Sequence, residues 1–328
     1  MKDKTQRSIL LACFLAIPTI LLFVFVLYPG FKLALISFTD WDGINPSYNY
    51  VGLKNYTQVF QRKDIWQSLK NNNLYFMLHL LFIPIEMYLA MLLDRYIKKS
   101  EFFKTIVFMP YIINGVAIAY MFSFLYSSED GVLNGLLALG SIGKIRWLSD
   151  PKIVNYSLVV VSLWRFTGVH IILFLAGLQS INKDMLEAAL IDGASVLQQF
   201  VKIIIPNMKS ILSIVLFLNV RGALMVFDIP FVMTSGGPGT SSTTFALHTV
   251  KTAFEFSNFG LACAMAIVLI VAIIVISIVQ GLVLEPEKFR GKLNKVKGFF
   301  KKEELKVEMA MEKEGEKFEK EKDERVTV

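Results

Sequence analysis

Cysteine and histidine are nearly missing from this sequence, and charge is thin over most of it. The two cysteines, Cys13 and Cys263, each sit inside an apolar run, so no disulfide framework is available to staple a small secreted fold. They read as small buried hydrophobes. Three histidines lie on separate segments, with no metal-ligand spacing and no nucleophile–base pair. The phosphate-cradling pattern G-x-x-x-x-G-K-[ST] does not occur, and Gly143-Lys144 lacks its first glycine, so ATP is expected to bind elsewhere. Asp, Glu, Lys and Arg make up 19% of the 328 residues, against about a quarter in a soluble domain, and many crowd beyond Glu285. The formal charge of +7 comes from Lys and Arg that flank apolar runs or fill the tail. No basic stripe with interleaved aromatics forms, which argues against nucleic acid as a partner.

Apolar length is what the chain has instead. A membrane-crossing helix needs about 20 mostly apolar residues, and six runs qualify: 9–28, 74–93, 105–126, 153–178, 211–233 and 259–284. Each is too long for an ordinary strand, and none alternates as a barrel strand does. The expectation is an all-α integral membrane protein with six transmembrane helices, a spanning domain over 1–286 and a charged tail over 287–328. Little in that tail can be buried, so it reads as frayed helix or disorder. The first run is a full span with no small-x-small cleavage site after it, which reads as an anchor, not a signal peptide.

Six crossings put both termini on one side. Lys and Arg in the short flanks divide ten to nine, and seven more directly after the sixth run make it 17 to 9, which favours cytoplasmic termini. On that topology "TSGGPGTSST" is external, and its Gly236, Gly237 and Pro238 demand a turn. The segment 180–208 is cytoplasmic and amphipathic. Asn182 can cap a first helix, with Asp184 in its opening turn. Gly193 ends that helix, because glycine tolerates the left-handed conformation of a C-terminal cap. Ser195 and Gln198 stand at capping-box spacing for a second helix, which is expected to stop near Pro206. The whole reads as helix, hinge, helix.

Ionisable residues at bilayer depth cost roughly 2.5–3.5 kcal/mol each for Arg or Asp, so each is a candidate functional group. They are His79, Glu86, Arg165, His170, Arg221 and Asp228. Arg165 lies thirteen residues from Leu178 and Arg221 ten from Ile211, which puts both near mid-depth. Asp228 is expected to share the face of Arg221, two turns further out. A water-filled path between the fourth and fifth runs and an internal ion pair that only holds the bundle both fit. Trp41, Trp66 and Trp147 sit near helix ends, where interfacial anchors belong.

Several segments carry a resemblance. Glu187-Ala188-Ala189, then Asp192-Gly193-Ala194, then Ile205-Pro206 resembles the signature loop of ABC importer permeases. "VGLKNYTQVF", "TIVFMPYII", "WRFTGVHIILFLAGLQSI" and "VFDIPFVMTSGGP" look like the carbohydrate-uptake branch, close to maltose-type and glycerol-3-phosphate-type first permease subunits. The resemblance covers roughly residues 9–284. It implies a non-catalytic permease subunit in a prokaryotic inner membrane. Its partners would be a second, similar permease, two ATPase subunits that bind ATP and Mg²⁺, and an extracellular solute-binding protein. It also implies that Glu187, Ala188, Ala189, Asp192, Gly193 and Pro206 form the ATPase-coupling loop. Sugar-lining positions fall on Arg165, Phe166, Val169, Asn219, Gly222 and Ala223, with Gly236–Pro238 as an external gate loop. If both arginines face the path, an acidic sugar is favoured over a neutral one. A secondary transporter and a non-transporting membrane scaffold are the rival classes. The first should show an internal repeat with interrupted helices, and no clear repeat is found; the second has no need of polar groups at mid-depth.

Overall fold

A computed structural model describes residues 2–95 and 100–284, with isolated positions 286, 291 and 298. Apart from Gly291 and Gly298, the expected charged tail lies outside the described residues. Met1–Ile276 forms one compact unit and Ser277–Val328 a second, of which the end of one helix is the main described part. Among the described residues the only strand-like pairing is a single bridge from Thr39 to Tyr50. Five helical stretches are long and apolar enough to cross a membrane, and a sharply bent helix pair makes a sixth.

Helix α1 (Lys2–Leu22) continues through a π-turn at Phe23–Leu27 into α2 (Tyr28–Ile36), so the first span runs Gln6–Ile36 and is longer than the expected 9–28. Pro29 does not end it. The wider turn closes on the Tyr28 N–H to Phe23 carbonyl bond, and the proline falls in the first turn after it, where its missing N–H is tolerated. None of this span is buried against the rest of the chain. Cys13 is therefore exposed, contrary to the buried thiol expected of it, while Cys263 is half-buried.

Helix α3 (Lys54–Gln61) precedes α4 (Lys63–Arg95), whose apolar part is the second expected span. The third expected span is broken. Helices α5 (Ser100–Ile112) and α6 (Gly115–Leu125) meet at a bend of 96°. Asn114 explains the break: its backbone is extended, and its side chain accepts from the Val116 N–H, the N-cap role asparagine favours. Pro110 has already removed a donor from the last turn of α5.

Helix α7 (Val132–Leu139) lies in a connection, and α8 (Val154–Leu178) matches the fourth run. Next comes a compact protrusion of α9 (Lys183–Ile191), α10 (Val196–Gln199), a second π-turn at Phe200–Ile204 and α11 (Ile205–Asn207). Pro206 again follows a π-turn by two residues, and the helix carries on to Asn207 instead of stopping before the proline as expected. Helix α12 (Lys209–Leu224) stops short, and α13 (Asp228–Thr234) starts after a break of three residues. Asp228 therefore does not sit on one continuous helix with Arg221, and the face-sharing argument from helical period fails. Helices α14 (Phe245–Phe254) and α15 (Phe259–Leu284) complete the described chain.

The α12–α13 break is held by α4. Asn72 Nδ2 donates to the carbonyls of Ala223 (2.5 Å) and Leu224 (3.2 Å), and its Oδ1 accepts from the Phe245 N–H at 2.7 Å. Thr244 Oγ1 donates to the Val226 carbonyl at 2.7 Å. Non-helical backbone at membrane depth survives only with such internal partners. Close approach also helps to join the helices: Gly168 of α8 rests on the Val107 carbonyl of α5, where a Cβ would collide. Lipid tails are as apolar as leucine, so close packing, not burial from water, draws the helices together.

Candidate functional site

A cavity of about 320 Å³ opens at mid-depth between α4, α5, α8 and α12. Helix α8 brings Arg165, Phe166 and Val169 to its wall, and α12 brings Asn219, Arg221, Gly222 and Ala223. Asp228 reaches the same wall because the break after Leu224 turns the chain inward. Its carboxylate takes an ion pair from the Arg165 guanidinium, which also lies 5.0 Å from the centre of the Phe166 ring. The pair sits directly over Gly115, the first residue of α6, where any side chain would strike both partners. One ion pair thus meets the bend of the third span, α8 and the start of α13.

Below it lies a second polar tier. His79 of α4 shares a 3.0 Å hydrogen bond with Ser162 of α8, and His170 pairs with Glu86 at 2.9 Å. Glu86 is fully buried, and its Oε1 has no hydrogen-bond partner among the described residues. The two imidazoles meet edge to face at 6.5 Å. Five of the six ionisable residues picked from the sequence for their depth fall in these two tiers, and the sixth, Arg221, lines the cavity outside them. Lining residues that the sequence reading did not pick include Tyr75 of α4 and Tyr111 of α5. Nothing marks them in a chain with 11 Tyr and 27 Phe.

At one end of the bundle three asparagines fix the Gly236 loop. Asn71 Nδ2 donates to the Thr243 carbonyl (2.8 Å), Asn155 Nδ2 to that of Ser241 (2.7 Å), and Asn72 bonds as above. Within the loop Ser242 Oγ donates to the Gly237 carbonyl at 2.6 Å, and Gly236 has the positive φ its type allows. The run Asn71-Asn72-Asn73 beside an apolar stretch was the available signal for this network.

The protrusion is at the other end of α12. Asn182 caps α9 by accepting from the Asp184 N–H, and Ser195 with Gln198 forms a full capping box on α10. Between them Gly193 (φ 75°) closes the helix: Ala194 N–H bonds the Ala189 carbonyl at 2.9 Å and Gly193 N–H that of Leu190 at 3.1 Å, the paired pattern of a Schellman cap. Glu187, Ala188, Asp192, Gly193 and Pro206 face outward, and Ala189 is half-buried. Leu190, Ile191 (86% exposed) and Leu197 add apolar surface on the same protrusion. Its inner face is seated: Ile181, Phe200, Ile204 and Met208 pack into one cluster with Met87 and Met91 of α4 and Phe174 and Leu178 of α8.

Spans that enclose polar groups at mid-depth are the mark of proteins that pass polar solutes through the membrane. The family model described as binding-protein-dependent transport system inner membrane component matches residues 8–285, and the chain belongs to that family. It is similar to a probable ABC transporter permease protein of Pyrococcus horikoshii, 38% identical over 271 residues, 80% of this chain and 91% of the relative. It is also similar to the multiple sugar-binding transport system permease protein MsmF of Streptococcus mutans, 31% identical over 81% of this chain and 92% of that one. In fold it resembles a permease chain of a bacterial alginate ABC transporter solved in complex with an alginate pentasaccharide-bound periplasmic protein. That likeness has a TM-score of 0.75 and 23% identity, and covers 86% of this chain and 96% of that one. The chain is a permease subunit, the non-catalytic membrane component of an ABC importer.

Proposed function

We propose that this subunit is one of two permease halves that carry a sugar delivered by an extracellular binding protein, and that the protrusion couples it to separate ATPase subunits. The carbohydrate permeases among its relatives and the fold neighbour captured with a loaded periplasmic protein support this reading. The observation that carries it is mechanical: the protrusion is rooted on α4 and α8, the same helices that wall the mid-depth cavity. Glu187 and Asp192 offer charge to a basic groove on an ATPase, and Ala188 lets its backbone come close. ATP and Mg²⁺ stay on that partner. Both termini then lie in the cytoplasm, and the Gly236–Gly237–Pro238 loop faces the binding protein outside. Solute descends through the cavity past Arg165, Phe166, Asn219, Gly222, Arg221 and Asp228.

The test is a pull-down from solubilised native membranes with intact chain, Gly193→Val and Gly193→Asn. A Cβ at Gly193 has open space, so only the positive φ is at stake. Valine resists that backbone conformation strongly, and asparagine accepts it. Intact chain and the Asn variant should retain an ATPase and a second permease, while the Val variant keeps the permease and loses the ATPase. Intact chain that retains no ATPase would sink the reading.

A further inference from the structure

The cavity holds more hydrogen-bonding capacity than the protein uses. Asn219 is only 4% exposed, lines the cavity, and neither of its amide atoms has a hydrogen-bond partner among the described residues. The hydroxyl of Tyr75, 1% exposed, and Nε of Arg165 are in the same position. Buried polar atoms without partners are costly, about 1–3 kcal/mol each, and these three residues, on three different helices, all line the one cavity. Asn219 presents a donor and an acceptor together, the pairing that adjacent sugar hydroxyls answer.

Charge in the lining is also unbalanced. Arg165 is committed to Asp228, the only carboxylate among the described lining residues, and the two imidazoles are engaged by Ser162 and Glu86. Arg221 has no ion-pair partner among the described residues. It stands near the midpoint of the span Lys209–Thr234, too far from either end to reach headgroups by snorkelling. Two arginines against one aspartate leave the lining one positive charge. A lone guanidinium at that depth is unfavourable unless an anion meets it, and its planar fork matches a carboxylate.

We propose that the cavity is a subsite for a sugar bearing a single carboxylate, with Arg221 holding the carboxylate and Asn219 and Tyr75 bonding ring hydroxyls. Arg165 is a positioning residue: bound to Asp228, it fixes that wall and adds no net charge. The proposal rests on the sugar-permease reading and narrows its substrate class to uronate-like sugars.

The test is equilibrium dialysis of the intact assembled transporter in nanodiscs against galacturonate, galactose and galactose 6-phosphate, with wild type, Arg221→Gln and Asn219→Ala. Galacturonate should be retained at least tenfold more tightly than galactose. Arg221→Gln should remove most of that advantage, and Asn219→Ala should weaken both sugars together. Unchanged thermal unfolding and partner content of each variant establish that it is folded and assembled. Equal retention of galactose and galacturonate, indifferent to Arg221→Gln, overturns the charge selection and leaves the permease reading standing. Tighter retention of the phosphate overturns the carboxylate assignment. Retention of none of the three overturns the cavity as a sugar subsite. Loss of the second permease from Arg221→Gln assigns the arginine to a subunit contact and also overturns the proposal.

Discussion

Asn72 occupies one position on α4 and serves three elements. Its amide closes the end of α12 through two carbonyls and opens α14 through the Phe245 N–H. Replacing it by alanine strands those groups where water does not reach, and a buried unsatisfied group costs about 1–3 kcal/mol. Asn72→Ala should therefore lower stability by about 3 kcal/mol, read as a fall of several degrees in thermal unfolding of the detergent-solubilised protein. Its neighbour Asn73 is exposed, and surface substitutions usually stay within about 0.5 kcal/mol. Equal shifts for Asn72→Ala and Asn73→Ala would defeat the capping account. At this scale the sequence was informative only where chemistry is rare. A charge at bilayer depth singles out Arg165, Arg221 and Asp228, and all three line the cavity. Tyr75 lines it as well but is one tyrosine among 11, and no local pattern distinguishes it.

Spans announce themselves because an apolar run of more than 20 residues has few other uses, whereas breaks within a span do not. Hydropathy averaged over a window hardly registers one asparagine, so residues 105–126 read as a single helix although Asn114 divides them at 96°. The break after Leu224 is subtler still, since the residue that stabilises it lies about 150 positions away in sequence. The caps of the protrusion were legible because Asn182, Gly193, Ser195 and Gln198 act within a few residues of themselves. Its continuation past Pro206 was not, because a π-turn has no sequence mark comparable to a capping box. The bend in the third span can be measured directly. Spin labels at Ile106 and Phe124, both exposed, would stand about 27 Å apart on a straight helix at 1.5 Å per residue, and about 17 Å apart across the observed bend. A double electron–electron resonance distribution centred near the longer distance would refute the break. Asn114→Ala, which forfeits an N-cap of about 1 kcal/mol, should broaden the distribution toward it.

Across the whole molecule, α4 and α8 tie the two ends together. Helix α4 carries Asn71 at the Gly236 loop, then Tyr75 and His79 at the cavity, then Glu86 against His170. Near its far end Tyr88 meets Phe200 of the protrusion edge to face at 5.7 Å. Helix α8 runs beside it with Asn155, Ser162, Arg165, His170 and Phe174 in the same order. A displacement of the protrusion must therefore move helices that wall the cavity, unless Phe200 slides in its seat. Truncating that side chain tests the linkage. Phe200→Ala should cost about 3–5 kcal/mol as a buried aromatic deletion, and the loss should not stay local. In hydrogen exchange of the protein in nanodiscs, amides of α9 to α11 should exchange faster, and so should those of α4 around Glu86 to Met91. Helix α14 packs in a separate cluster with Val59, Ile65 and Leu261 and should keep its protection. Faster exchange confined to the protrusion, with α4 unchanged, would mean that the loop is loosely hung and cannot drive the cavity through these helices. Faster exchange along α4 as far as His79 would show that force applied at the protrusion reaches the polar tiers at mid-depth.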